Sequence, residues 1–145
     1  MTSNDQITTD FLVIGSGLAG LSFSLKAAGA GSIALVTKQD IAESSSRYAQ
    51  GGIAAVTDRD DSFQDHIRDT LRAGDGLCRP GVVELVVNSA PERIRELIEL
   101  GVRFTRRRKN RTEYDLGREG GHSRRRVLHA ADQTGAEIEK CLVEA

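Results

Sequence analysis

Aromatic residues are scarce in this chain of 145 residues, which has no tryptophan, two tyrosines and four phenylalanines. That scarcity weighs against a nucleic-acid partner, and the basic stretch from Arg103 to Arg126 lacks a recognisable base-reading motif. There are only two cysteines, Cys78 and Cys141, far apart and with no C-x-x-C. No histidine stands at metal-ligand spacing to them, so neither a disulfide framework nor a metal site is expected, and a reduced cytoplasmic setting is. No apolar run approaches the roughly 20 residues that span a bilayer, and residues 1–9 are polar, so no membrane anchor or secretory leader is expected. Charge of one sign is also missing overall, but not locally. Ten Arg or Lys against three acids leave +7 between Arg103 and Arg126, and therefore −8 over the rest for a net charge of −1. Arg106, Arg107, Arg108, Lys109 and Arg111 read as a solvated hairpin tip.

What the chain does have is the stretch from Asp10 to Gly20, a short apolar run opening directly into spaced glycines. Phe11, Leu12, Val13 and Ile14 suit a strand buried on both faces of a parallel sheet. Gly15, Gly17 and Gly20 then have the G-x-G-x-x-G spacing. The first permits a tight turn, the second a close backbone approach to a pyrophosphate, and the third close packing of helix on strand. From Leu18 the pattern turns helical, with Leu21, Leu25 and Ala28 on one face, which points the free N–H groups of the helix start at the ligand. Residues 32–37 read as a second buried strand, completing a βαβ unit of α/β class. Where a nicotinamide-binding unit carries an acid for the adenosine ribose, Thr37 and Lys38 stand instead, which argues against plain NAD binding.

Further along, residues 41–56 are rich in small polar residues and glycine and end apolar. They read as a loop lying against a flat ligand, or as an ordinary connection with a Gly-Gly turn. Residues 61–76 form an amphipathic helix with Phe63, Ile67 and Leu71 on its stripe, leaving His66 one position off it as a surface histidine. Pro80 opens another helix whose run from Val82 to Val87 is expected to be packed. Ser89 and Glu92 read as the capping box of a third helix, closed by Gly101. Residues 102–105 and 112–116 are expected to pair as a hairpin. The turn Glu119-Gly120-Gly121-His122-Ser123 joins an acid, two glycines and a histidine, a candidate active-site cluster or a turn in which Glu119 pairs with nearby arginines. Thr134 and Glu137 read as one more capping box, before a helix carrying Ile138, Leu142 and Ala145.

Four separated motifs resemble the N-terminal part of the L-aspartate oxidase family, within the succinate dehydrogenase and fumarate reductase flavoproteins. They are residues 15–20; Thr37-Lys38; residues 48–55; and residues 118–123 running on through 128–132 to Thr134-Gly135. The resemblance implies a partial FAD-binding Rossmann-like domain over residues 1–145, with βαβ start, helices and a β-hairpin. The capping and C-terminal helical domains of the family have no counterpart here, so the chain is expected to be truncated and inactive alone. Gly15, Ser16, Gly17, Leu18, Ala19 and Gly20 would hold the FAD pyrophosphate, and Lys38 takes its family place after the second strand. Ser45, Ser46, Arg47, Tyr48, Ala49, Gln50, Gly51 and Gly52 would line the flavin and ribityl chain, and Glu119 matches a family acid at the substrate site.

The implied reaction moves a hydride from Cα of L-aspartate to FAD, giving iminoaspartate, with oxygen or fumarate as electron acceptor. It would serve NAD biosynthesis through functional coupling to quinolinate synthase. Ser45 stands where the succinate dehydrogenase flavoproteins carry the histidine of their covalent link, so non-covalent FAD is expected. The alternatives are a stand-alone FAD- or nucleotide-binding module, the dicarboxylate branch of the same superfamily, and a basic-loop interaction protein.

Overall fold

A computed structural model describes residues 6–145, so the first part of the polar opening stretch, residues 1–5, lies outside the described residues. The chain opens with strand β1 (Phe11–Ile14), helix α1 (Leu18–Ala27) and strand β2 (Ile33–Val36). β1 and β2 pair in parallel with Phe11 opposite Ile33 and Ile14 opposite Val36, so the βαβ unit is formed as its sequence pattern requires. Asp10 fixes the register from below, its Oδ2 accepting both the Ser32 amide and the Ser32 hydroxyl at 2.8 Å. The expectation of burial on both faces does not hold for these strands. Val13 is buried, but Leu12 and Ile14 are 62% and 82% exposed. Alternation puts them on the face opposite α1, where no described element packs against them.

Strand β3 (Ile53–Ala54) returns from the long loop and pairs antiparallel with β4 (Val127–Leu128). Helix α2 (Phe63–Ala73) starts at Ser62, whose hydroxyl accepts the Asp65 amide, and packs on α3 (Pro80–Glu99). α3 is one helix of 20 residues and not two. Pro91 removes one backbone donor without ending it. Ser89, instead of capping a new helix, turns its hydroxyl back to the Leu85 carbonyl at 2.7 Å. Packing carries the helix through that defect, since Val87 and Ile94 are buried and Ala90, Leu97 and Ile98 lean on the core. The run from Val82 to Val87 is not packed as a block, because a helix shows only one stripe to a single neighbour: Val87 is buried while Val82, Leu85 and Val86 are more than half exposed.

α3 ends at Gly101, whose φ of +103° lets the Val102 amide reach the Leu97 carbonyl and the Gly101 amide reach Ile98. This Schellman turn satisfies the last carbonyls and drops Val102 and Phe104 into the core. The expected hairpin follows in short form: Arg106 faces Tyr114, and main-chain bonds join Thr105 to Asp115 and Arg107 to Glu113. The basic residues at its tip are exposed, with Arg106 stacked 4.7 Å over the Tyr114 ring. Finally α4 (Thr134–Glu144) packs against α1, and its Ile138, Cys141 and Leu142 join Leu21, Ala55, Ile94, Phe104, Leu116 and Leu128 in the core. Both cysteines are free. No helix among the described residues is long and apolar enough to cross a membrane.

Candidate functional site

The site begins where β1 stops. Gly15 adopts φ +106°, a conformation that side chains disfavour, and a Cβ built there would meet nothing within 4 Å, so bare backbone faces open space. The Gly15 amide bonds to the Val36 carbonyl and Ser16 Oγ lies 3.1 Å from Thr37 Oγ1, which holds the turn to the end of β2. Gly20 is required for packing: a Cβ at that position would fall 2.0 Å from the Gly15 carbonyl oxygen. Gly17 caps α1 without a side-chain cap, and the first turn of α1 contains no acid. Its free N–H groups and positive dipole end are therefore available to an anion. Lys38 stands exposed one residue past Thr37.

The loop of residues 44–52 lies against that turn. The Leu18 amide points at Ser46 Oγ at 3.4 Å, and a Cβ at Gly17 would come 3.5 Å from the same hydroxyl. Ser45, Arg47, Tyr48, Ala49, Gln50, Gly51 and Gly52 are all exposed. Tyr48 donates to Glu43 at 2.6 Å, and that hydrogen bond together with the carboxylate charge raises the phenol above its ordinary value. Gly52, at φ +135°, ends the loop where a Cβ would strike the Leu128 carbonyl at 2.4 Å. Glu119 reaches this loop from the far side of the chain. A Cβ on Gly51 would meet its Oε1 at 3.3 Å, so the carboxylate lies against Gly51, and no arginine pairs with it among the described residues.

Three parts of this arrangement carried little signal in the sequence. The first is the role of α4, which holds the loop from beneath. Thr134 Oγ1 accepts the Ala130 amide and donates to the Gln50 carbonyl, while the Gly135 amide bonds to Ala49 at 2.8 Å. A Cβ on Gly135 would lie 1.8 Å from the Ser46 carbonyl oxygen. The expected capping box at Thr134 and Glu137 is therefore absent: the hydroxyl is engaged with the loop, and Glu137 accepts the Arg103 amide instead. A glycine directly after the first helical residue was the available signal.

The second is a buried ion cluster behind the Glu119 turn. Arg126, counted by its sequence within the basic stretch, is 0% exposed and bonds to Asp61 at 2.8 and 2.9 Å and to Asp69 at 2.7 Å. Asp69 also accepts the Ser123 amide and hydroxyl, both at 2.7 Å, which ties the turn to α2. Burial pushes the Asp69 carboxyl up, but the two Ser123 hydrogen bonds and the Arg126 guanidinium outweigh it and hold it far below the usual range.

The third is His66, which is not at the surface. It is 6% exposed and meets His122 edge to face, with ring centroids 5.7 Å apart. Both Nδ1 atoms are buried and unpartnered among the described residues. Burial, then Arg126 and His122, lower the His66 pKa against the opposing pull of Asp61 and Asp69. The sequence placed it one position off a stripe drawn from α2 alone, whereas the turn from Glu119 to Ser123 covers that side.

A parallel strand, a bare glycine turn and an uncapped helix start, covered by a loop of amides and hydroxyls, define an α/β domain with the chemistry to receive the pyrophosphate of a dinucleotide. The FAD binding domain family model matches residues 10–145, and the chain belongs to that family. FAD is accordingly its cofactor, and the open cradle at Gly15 and Gly17 fits the pyrophosphate of that molecule. Among similar proteins, L-aspartate oxidase 2-b, chloroplastic, of Nicotiana tabacum is 51% identical over 94% of this chain and 21% of its own length. L-aspartate oxidase of Yersinia pestis is 47% identical over 99% of this chain and 27% of its own. A solved variant of E. coli quinol fumarate reductase superposes with a TM-score of 0.88 at 34% identity, over 95% of this chain and 24% of that one. The chain thus spans about a fifth to a quarter of the length of the curated relatives it matches.

Proposed function

We propose that this chain is the N-terminal part of the FAD-binding domain of an L-aspartate oxidase, converting L-aspartate to iminoaspartate for NAD biosynthesis. Oxygen or fumarate serves as electron acceptor. The observation that carries the reading is the Glu119 carboxylate over Gly51, which joins the acid of one motif to the glycine pair of another 68 positions away. FAD supplies the hydride acceptor of the reaction, held without a covalent link.

In this reading the glycine turn of residues 15–20 and the α1 amides neutralise the pyrophosphate, Lys38 lies at the adenosine end, and residues 45–52 line the flavin and ribityl chain. Glu119 accepts hydrogen bonds from the substrate ammonium and so orients Cα toward the flavin. The two substrate carboxylates need cations that the family supplies from segments beyond these 145 residues, so the chain alone is inactive. Relatives named L-aspartate oxidase support this reading over the dicarboxylate branch, which the fumarate reductase likeness keeps as the second reading.

The test uses Glu119→Gln in the full-length polypeptide. Losing a hydrogen bond between charged groups costs about 1.5–3 kcal/mol, so kcat/KM for aspartate is expected to fall about 10- to 100-fold with flavin absorbance retained. Unchanged turnover of aspartate would refute the role of Glu119. Turnover of succinate or fumarate in place of aspartate would favour the second reading. Steady aspartate-dependent peroxide formation by the 145-residue chain would refute its inactivity.

A further inference from the structure

Beneath the loop of residues 44–52 lies a carboxylate that the reaction does not use. Glu139 sits on α4, is 0% exposed, and accepts the Ser44 hydroxyl on Oε1. Its Oε2 is buried and without a hydrogen-bond partner among the described residues. Such a group is unfavourable for folding, since an ionised carboxylate half-satisfied in the interior forfeits much of its hydration. A leucine there would pack without that penalty, so stability alone does not explain a glutamate.

The hydrogen bonds that start from it run to the glycine turn. A carboxylate only accepts, so the single Ser44 proton is drawn to Glu139 and the Ser44 lone pairs are left facing the other way. There Ser44 Oγ accepts the Ser46 amide at 3.1 Å, and Ser46 Oγ in turn accepts the Leu18 amide at 3.4 Å, in the first turn of α1. The same span of α4 presses on Ser46 through Gly135, whose approach to the Ser46 carbonyl leaves no room for a Cβ. We propose that Glu139 is a positioning residue for the FAD pyrophosphate: by orienting the Ser44 hydroxyl it fixes Ser46 against the N-terminal amides of α1. The inference rests on the assignment of FAD to the glycine turn of residues 15–20.

The experiment measures FAD dissociation constants by flavin fluorescence quenching on the full-length polypeptide, alongside melting temperatures of the cofactor-free protein. Glu139→Leu is expected to hold or raise the cofactor-free melting temperature while weakening FAD about tenfold, or about 1.4 kcal/mol. Glu139→Gln keeps an acceptor for Ser44 and is expected to stay within about threefold of the native value. Ser44→Ala removes the middle of the chain of hydrogen bonds and is expected to match Glu139→Leu, with the double variant no weaker than either single one. Should Glu139→Leu fail to fold, Ser44→Ala carries the test alone. Native FAD affinity in Ser44→Ala, or in a folded Glu139→Leu, would overturn the inference. Failure of the unaltered protein to bind FAD would overturn the cofactor assignment and this inference with it.

Discussion

Arg126 is the side chain whose loss is expected to cost this domain most. Its guanidinium is fully enclosed between Asp61, whose side chain is 1% exposed, and Asp69, at 10%. Arg126→Met keeps much of the volume and removes the charge, leaving two carboxylates facing each other in the interior. Breaking a buried ion pair from one side costs about 3–5 kcal/mol. That is a large share of the roughly 5–15 kcal/mol that holds a domain together. At about 2–4 °C per kcal/mol for a domain of this size, the melting temperature should drop by roughly 6–20 °C.

The assay is urea unfolding at pH 7 with Arg126→Met beside the triple variant Asp61→Asn/Asp69→Asn/Arg126→Met. In the triple variant the stranded charges are gone, and the side-chain amide introduced in place of Asp69 still offers Ser123 an acceptor. It should recover at least half of the loss, because the penalty lies in the uncompensated charge and not in the missing guanidinium. A loss below about 1 kcal/mol in the single variant, or no recovery in the triple, would refute this account of the cluster. Acid provides an independent readout. The folded Asp69 carboxyl is depressed, so the stability it contributes is present above the ordinary carboxylate value and is lost as pH falls below it toward the folded value.

Other outcomes follow from the same geometry. Gly135→Ala would drive a methyl group into the Ser46 and Ala49 carbonyls, and the loop must move. It is expected to destabilise by about 1–3 kcal/mol and to weaken FAD binding together with it, as read by melting temperature and flavin fluorescence. Because burial lowers the His66 pKa, the unfolded chain binds the proton more readily than the folded one. Stability should therefore rise with pH in the window below about 6.5. His66→Gln should flatten that slope just below about pH 6.5, and an unchanged slope in urea titrations there would sink the assignment to His66.

The difference between what was legible and what was not follows the range of the interactions. Gly15, Gly17 and Gly20, with the apolar run before them and Leu21 and Leu25 after, specify strand, turn and helix through contacts within a few residues, so the βαβ unit was readable directly. The hairpin around Arg106 and Tyr114 was readable for the same reason. Helix features at Ser89 and Thr134 were misread because a capping box is a local option that tertiary packing overrides. Ser89 lies inside a helix held by its buried stripe, and the Thr134 hydroxyl has a better use on the Gln50 carbonyl.

The buried groups were out of reach altogether. Asp61, His66, Asp69, Arg126 and Glu139 are all polar residues that any pattern assigns to the surface, and each acquires its environment from partners remote in the chain. Only the folded chain brings α2 under the Glu119 turn and α4 under the loop of residues 44–52. Residue types alone were enough for the glycine turn after β1, since a glycine's backbone freedom is intrinsic to the residue. Which charges are buried, and what each one holds in place, emerged only on folding, since burial and pairing are properties of the surroundings and not of the side chain.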